Sequence, residues 1–223
     1  MINDHVLQQN YLPVNSGAAE TRGICATEPE ALRAMTLFDN TTSREPASAG
    51  IVWLTGLSGA GKTTIANALR QALSDRQIRA CIIDGDELRA TLNRDLGFSP
   101  EDRAESVRRA ADVAHLMRRT ETIVIVALIS PYAAGRNYAR SVAPTAFCEV
   151  HVDAPLAVVE SRDPKGLYAK ARRGEMKQFT GIDAPYEAPE APDVRLDTSK
   201  LTVDQCVLAI VNRLADAGWI QHT

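Results

Sequence analysis

The stretch "IVWLTGLSGAGKTTIANAL", residues 51–69, decides the fold. Ile51 to Thr55 has the apolar, β-branched make-up of a strand covered on both faces. Gly56 to Thr63, "GLSGAGKT", then satisfies G-x-x-x-x-G-K-[ST] in full. A helix is expected over residues 62–74. Strand, glycine-rich turn and helix, in that order, are the setting this pattern needs. The glycines let successive backbone N–H groups curl around phosphate oxygens, and the helix start adds the positive end of its dipole. Lys62 is expected to reach the β- and γ-phosphates, and Thr63 to offer its hydroxyl to Mg²⁺. Gly56, Leu57, Ser58, Gly59, Ala60, Gly61 and Thr64 complete the cradle. The chain is therefore expected to bind a nucleoside triphosphate with Mg²⁺.

Outward from this loop, strands and helices alternate. "RACIID" (79–84), "TIVIVALIS" (122–130), "FCEVHVD" (147–153) and "DVRLDT" (193–198) read as four more strands. Ser99-Pro100-Glu101-Asp102 opens a helix with an N-cap, a proline at the first helical position and acids in the first turn. This alternation predicts an α/β chain: a five-stranded, mainly parallel sheet with helices on both faces, the P-loop NTPase fold. Ligands then belong at the carboxyl ends of the strands. Residues 49–223 form this domain. Residues 1–48 are weakly patterned and read as an arm or linker, with one short helix expected over 28–38.

Composition excludes several functions. A net charge of −3 and a pI near 5.8 argue against a nucleic-acid surface. No apolar run is long enough to cross a membrane, and the N-terminus lacks a signal-peptide pattern. Cys25, Cys81, Cys148 and Cys206 are widely spaced, without CxxC, and read as reduced thiols of a cytoplasmic protein. A Cys25–Cys81 disulfide is disfavoured on the same compartment argument.

Phosphoryl transfer calls for an acid near the metal, yet the third strand ends "ALISPY" without one. Asp84 and Asp86 in "IIDGDELR" (82–89), and Asp153 after the fourth strand, are the acids available. Asp84 reads as a strand-end or capping carboxylate. Asp86 reads as the N-cap of a helix "ELRATLNRDL" (87–96), a role compatible with a second one. Gly85 is expected to let the chain turn between them. Arg89 lies one helical turn beyond Asp86, and Phe98 and Arg103 follow in "LGFSPEDR" (96–103). An aromatic ring beside arginines can hold a planar base and an anion. Each of these residues alone reads as core or solvated helix face; the combination is what points to a second substrate.

At this point the sequence resembles the adenylylsulfate kinase (APS kinase) family. The likeness runs through "GLSGAGKTT" (56–64), "DGDELR" (84–89), "LNRDLGFSPEDR" (92–103), "ISPY" (129–132), "VDAPL" (152–156), "RDPKGLYAKAR" (162–172), "FTGID" (179–183) and "PYEAPEAP" (185–192), in family order. The resemblance implies transfer of the γ-phosphoryl of ATP to the 3′-hydroxyl of adenosine 5′-phosphosulfate (APS). It implies that Asp86 faces that hydroxyl and the Mg²⁺, with Asp84 in support. Arg89 and Arg103 are implied as phosphosulfate and ribose contacts, and Phe98 and Phe179 as two rings enclosing the adenine. Ile129, Ser130 and Lys165 are implied on the acceptor side, and Arg162 on the ATP side. Ser130 matches a serine sometimes assigned as a phosphoserine intermediate, but no adjacent histidine or lysine activates it, which favours direct in-line transfer. The resemblance further implies a homodimer and a link to ATP sulfurylase.

Residues 172–192, with two glycines and three prolines, read as a mobile lid that excludes water from the phosphoryl group. Two positions depart from the family pattern. Ser106 stands where asparagine is common, and Gln178 where glycine is usual. Serine offers one hydroxyl where asparagine offers a donor and an acceptor, so the departure bears on acceptor binding more than on chemistry. Two other readings stand beside the favoured one: a related small kinase acting on another nucleotide, and a catalytically silent nucleotide-binding module. Loss of Lys62, Asp86 or Phe98 is the expected mark of the latter, and all three are present.

Overall fold

The computed structural model describes residues 49–221. The helix expected over 28–38, the arm 1–48 and Cys25 lie outside the described residues. Five strands form one sheet: β1 (Ile51–Thr55), β2 (Ala80–Asp84), β3 (Ile123–Ala127), β4 (Phe147–Asp153) and β5 (Val194–Asp197). Their order is β2-β3-β1-β4-β5, and every pairing is parallel. All residues of β1 and β3 are buried. Their continuous apolar runs are therefore the signature of a sheet covered on both faces. The helices are α1 (Lys62–Ser74), α2 (Gly85–Ala90), α3 (Pro100–Arg118), α4 (Ala133–Ser141), α5 (Leu156–Arg162), α6 (Leu167–Arg172) and α7 (Val203–Asp216). α1 packs with α7, and α3 with α4. Among the described residues no helix is long and apolar enough to cross a membrane. Cys81, Cys148 and Cys206 are free thiols.

The bounds of β1, α1 and β4 are those expected from the sequence. β2 and β5 are each shorter by a residue or two at their ends. β3 ends at Ala127 rather than continuing to Ser130. The physical reason is visible at Ser130, whose φ of +45° lies in the left-handed region that no strand residue occupies. Ile129 instead accepts from Gly56 N–H at 3.4 Å and from the Thr55 hydroxyl at 2.7 Å. The end of β3 thus bends back over the phosphate loop.

The acids after β2 also differ from expectation. The N-cap of α2 is Asp84, whose side chain accepts from Asp86 N–H at 2.9 Å. Asp86 sits inside the first turn and caps nothing. α2 stops at Ala90, well short of the helix expected over 87–96. Gly85 does not have the positive φ that would make a glycine obligatory, and an added Cβ would find ordinary contact with the Ala127 carbonyl at 3.5 Å. Its expected turning role is not what the backbone there requires.

Ser99 caps α3 as expected, accepting from Asp102 N–H at 3.1 Å ahead of Pro100. α3 then fastens the preceding loop residue by residue. Asp102 accepts from Gly97 N–H at 3.0 Å, and Arg109 holds both the Leu92 carbonyl at 2.9 Å and the Asp95 carboxylate at 2.7 Å. The loop that carries Phe98 is therefore an extension of α3.

Candidate active site

The phosphate loop joins β1 to α1. Gly56 has φ +150°, and a Cβ there would lie 2.3 Å from the Val152 carbonyl oxygen, so only glycine fits. Gly61 is the N-cap of α1 with φ +105°, and no side chain covers the helix start. The N–H groups of that end are left for an anion. Lys62 Nζ donates to the carbonyls of Gly56 and Leu57, each at 2.8 Å. Burial is the main cause that pushes its pKa down to about 8, against the raising effect of Asp84.

Thr63, at the next position, donates to Asp84 Oδ2 at 2.7 Å. The acid touching the metal-candidate hydroxyl is thus Asp84. The Asp86 carboxylate is paired with Lys165 Nζ. A hydroxyl beside a carboxylate is an all-oxygen donor set, suited to Mg²⁺ that takes its remaining ligands from phosphates and water. Among the described residues no three His, Cys, Asp or Glu side chains gather into a self-sufficient metal site, as this partial set also implies.

One cavity of about 920 Å³ gathers the sequence-derived set. Ser58, Gly59, Ala60, Gly61, Lys62, Thr63 and Thr64 line its phosphate end. Asp84, Asp86, Arg162 and Lys165 line it too. So do Arg89, Phe98, Arg103 and Ser106, together with Ile129, Ser130 and Phe179. Gly56 and Leu57 stand behind the loop, where their carbonyls take the Lys62 ammonium.

The acceptor-side residues are built differently from one another. Phe98 is 43% exposed, whereas Phe179 is 6% exposed and meets Tyr168 edge-on at 4.9 Å between ring centres. The Arg89 guanidinium lies 4.1 Å from the Phe98 ring centre. Arg103 is buried and donates to the Phe98 carbonyl at 3.1 Å and the Gln178 carbonyl at 2.6 Å. Two edges of its guanidinium are thus committed to backbone, and it links the loops bearing the two phenylalanines. Ser130 accepts from the Trp53 indole at 2.9 Å, and its carbonyl accepts from Arg136 at 2.9 Å.

The expected lid is well fastened over its later half. Gln178 and Phe179 N–H groups donate to Asp183 at 2.8 and 2.6 Å, and these bonds hold the Asp183 carboxyl below its usual range. Tyr186 stacks on His151 and hydrogen-bonds Thr55 at 3.0 Å. Glu187 accepts from Ala133 N–H at 2.6 Å.

Sequence reasoning missed a second group. Thr198, Thr202 and Cys206 also line the cavity. Thr198 donates to the Ala60 carbonyl at 2.9 Å, and its own carbonyl takes Arg162 at 2.7 Å. These residues follow β5, so the strand-end rule applied to "LDTSKLT" (196–202) was the available signal.

The sequence profile of adenylylsulphate kinases matches residues 48–197. The chain belongs to the adenylylsulfate kinase family. The adenylyl-sulfate kinase of Marinobacter nauticus is 52% identical over 172 residues, covering 77% of this chain and 86% of that relative. The Burkholderia ambifaria adenylyl-sulfate kinase is 52% identical over 165 residues, covering 74% and 91%. Among solved structures, the Mycobacterium tuberculosis APS kinase in complex with AMPPNP and APS shares 47% identity with a TM-score of 0.72, covering 75% of this chain and 98% of that one. Membership in the adenylylsulfate kinase family accounts for a cavity with two ends: a phosphate loop with an open helix start, and a mixed aromatic and arginine wall.

Proposed function

We propose that the protein transfers the γ-phosphoryl group of ATP to the 3′-hydroxyl of APS by direct in-line displacement. The products are ADP and 3′-phosphoadenosine 5′-phosphosulfate. The observation that carries this reading is that the phosphate loop, Asp86 and the Phe98–Arg103–Phe179 set line one continuous cavity.

Each residue then has a defined task. The α1 start and Lys62 hold the ATP phosphates, and Lys62 exchanges its two carbonyl partners for phosphate oxygens. Arg162, Thr198 and Cys206 serve the adenosine end of ATP, since they line the cavity beyond the loop. Thr63 and Asp84 would hold Mg²⁺, with Asp86 reaching it through water. Bound there, the ion neutralises charge on the phosphates. Phe98 and Phe179 enclose the acceptor adenine, while Arg89 and Lys165 supply positive charge to the phosphosulfate. Ile129 and Ser130 line the same side. Asp86 orients the 3′-hydroxyl and accepts its proton as the bond to phosphorus forms and the bond to the ADP oxygen breaks. For this, Lys165 must release the carboxylate that it pairs with in the structure. Ser130 binds rather than attacks, because its hydroxyl accepts from Trp53 and, among the described residues, no base hydrogen-bonds to it. A homodimer working in the cytoplasm, linked to ATP sulfurylase and using Mg²⁺, completes the reading.

A coupled ADP-release assay with APS, AMP and cytidine nucleotides as acceptors tests it. Turnover with APS far above the others is the expected result; equal turnover on all would sink the assignment. Light scattering on the full chain gives the oligomeric state.

A further inference from the structure

Tyr168, in the first turn of α6, has no part in the assignments above. It is 2% exposed, and it does not line the cavity. Its hydroxyl donates to the Ser58 carbonyl of the phosphate loop at 2.9 Å. Its ring stands at 86° to the Phe179 ring, in an edge-to-face pair with centres 4.9 Å apart. One buried side chain thus reaches both ends of the cavity from behind: the cradle for phosphates and the wall for the acceptor base. Its own backbone is fastened independently. Tyr168 N–H and Ala169 N–H donate to the two carboxylate oxygens of Asp163, at 3.1 and 3.0 Å.

The hydroxyl bond runs in one direction only. A carbonyl oxygen accepts and cannot donate, so the phenol is the donor. Burial pushes the Tyr168 pKa up to about 12, which keeps that proton in place at neutral pH. The peptide joining Ser58 to Gly59 is planar and trans, so its C=O and its N–H point opposite ways. With the carbonyl held on Tyr168, behind the loop, the Gly59 N–H is turned to the other side. Gly59 lines the cavity, and among the described residues no acceptor takes its N–H. A loop N–H presented in this way is a donor for a phosphate oxygen.

The ring acts on the other wall. Phe179 lines the cavity, and an edge-to-face partner restricts the tilt of its ring. A ring that stacks on a flat base is useful only while its plane is kept.

With ATP and APS as the two substrates, the reading proposed above, we infer that Tyr168 is a positioning residue for both: its hydroxyl aims the Gly59 N–H at the ATP phosphates, and its ring sets the plane of Phe179 against the acceptor adenine. Tyr168 touches neither substrate. The two effects belong to different atoms of one side chain, so substitution can separate them.

The test uses the full chain with Y168F and Y168L. For each variant the KM for ATP, the KM for APS, kcat, the affinity for AMPPNP by calorimetry and the melting temperature are measured. Y168F removes one oxygen and keeps the ring. It should raise the KM for ATP and weaken AMPPNP binding by roughly threefold to tenfold, the scale of one neutral hydrogen bond, with the KM for APS within about twofold of wild type. Y168L removes the ring as well, and should add a rise of roughly threefold or more in the KM for APS. A residue that only packs the core would move both KM values together, in step with the melting temperature. That pattern overturns the inference. So does an unchanged KM for ATP in Y168F, or an unchanged KM for APS in a folded Y168L. Should Y168L not fold, Y168F decides alone: a raised KM for ATP beside a steady KM for APS sustains the inference, and any other result overturns it. A wild-type chain that binds AMPPNP but fails to turn over APS brings down the functional reading and the inference together, whereas an active wild type with any of the overturning patterns brings down the inference alone.

Discussion

The Trp53 indole N–H donates to the Ser130 hydroxyl at 2.9 Å, with both residues buried. The same serine holds a φ of +45°, kept in place by Arg136 on its carbonyl. Strained backbone of this kind persists where the surroundings over-determine it. The hydroxyl lines the cavity already engaged as an acceptor, and among the described residues no side chain accepts its proton. Ser130→Ala should therefore keep turnover within about tenfold of wild type, the scale of one lost hydrogen bond. No phosphoserine should accumulate with labelled ATP, and a chiral γ-phosphate should invert. Abolished turnover with net retention would restore a phosphoenzyme.

Asp86 is the second prediction. Its side chain is 68% exposed and its structural partner is Lys165, so little of the fold depends on it. Exposed pairs of this sort contribute little to stability. Asp86→Ala should melt within about a degree or two of wild type, since a surface change within about 0.5 kcal/mol shifts a chain of this size by no more. Turnover should fall by about a thousandfold or more, with loss of both the orienting carboxylate and the proton acceptor. Near-normal kcat in a well-folded D86A protein would reassign the role, Asp84 being the next acid along.

Gln178 gives a prediction about stability. Its φ is +57°, where a side chain is strained, and the conformation is pinned by its N–H on Asp183 and its carbonyl under Arg103. The left-handed region costs a residue with a Cβ about 1–2 kcal/mol, part of which glycine returns as greater freedom in the unfolded chain. Gln178→Gly should stabilise by roughly 0.5–1 kcal/mol, a rise in melting temperature of about 1–4 °C. A lower melting temperature would mean that the Gln178 side chain itself holds the loop.

The depressed pKa of Lys62 predicts a proton signature of nucleotide binding. In the folded protein burial pushes this lysine down to about 8, against 10.5 for an unperturbed lysine. Between these values the unfolded chain binds more protons than the folded one, so Lys62 makes the fold more stable as pH rises through that window. Phosphate oxygens favour the charged form and push the pKa back up. Binding of an ATP analogue at about pH 9 should therefore take up well over half a proton, and almost none at about pH 6.5. Calorimetry in two buffers of different ionisation heat measures this. Lys62→Met should abolish the difference; uptake that survives in it would belong to another group.

Much of the fold could be read from residues 51–69, because a buried strand, a forced glycine turn and a helix start leave a single connection. Ile51–Thr55, Lys62–Ser74 and Phe147–Asp153 have the bounds that their apolar runs imply. The run after Ile123 misled, since Leu128 and Ile129 are as apolar as a strand but lie past its last residue, where they line the cavity and the Ile129 carbonyl accepts from Gly56 N–H. Apolarity records burial, not backbone state. Asp84 and Asp86 were ambiguous for a related reason: two acids one glycine apart can each cap a helix, and only the hydrogen bond to Asp86 N–H decides between them. Thr198 and Cys206 carried no motif of their own, and reach the cavity because the chain leaving β5 passes beside the phosphate loop, where Thr198 donates to the Ala60 carbonyl.

Arg103 leaves one more consequence. Its guanidinium bridges the carbonyls of Phe98 and Gln178, which belong to segments 80 positions apart in the chain by their numbers. The two aromatic walls therefore share a single rivet on the first turns of α3. Their spacing is set when the polypeptide folds, so an arriving base meets a slot of fixed width instead of two loops that must each be ordered around it. Recognition of the acceptor is then mortgaged to the integrity of one helix end. Gentle warming that frays Pro100 to Arg103 should weaken acceptor affinity while the glycine cradle, riveted elsewhere, still holds its triphosphate.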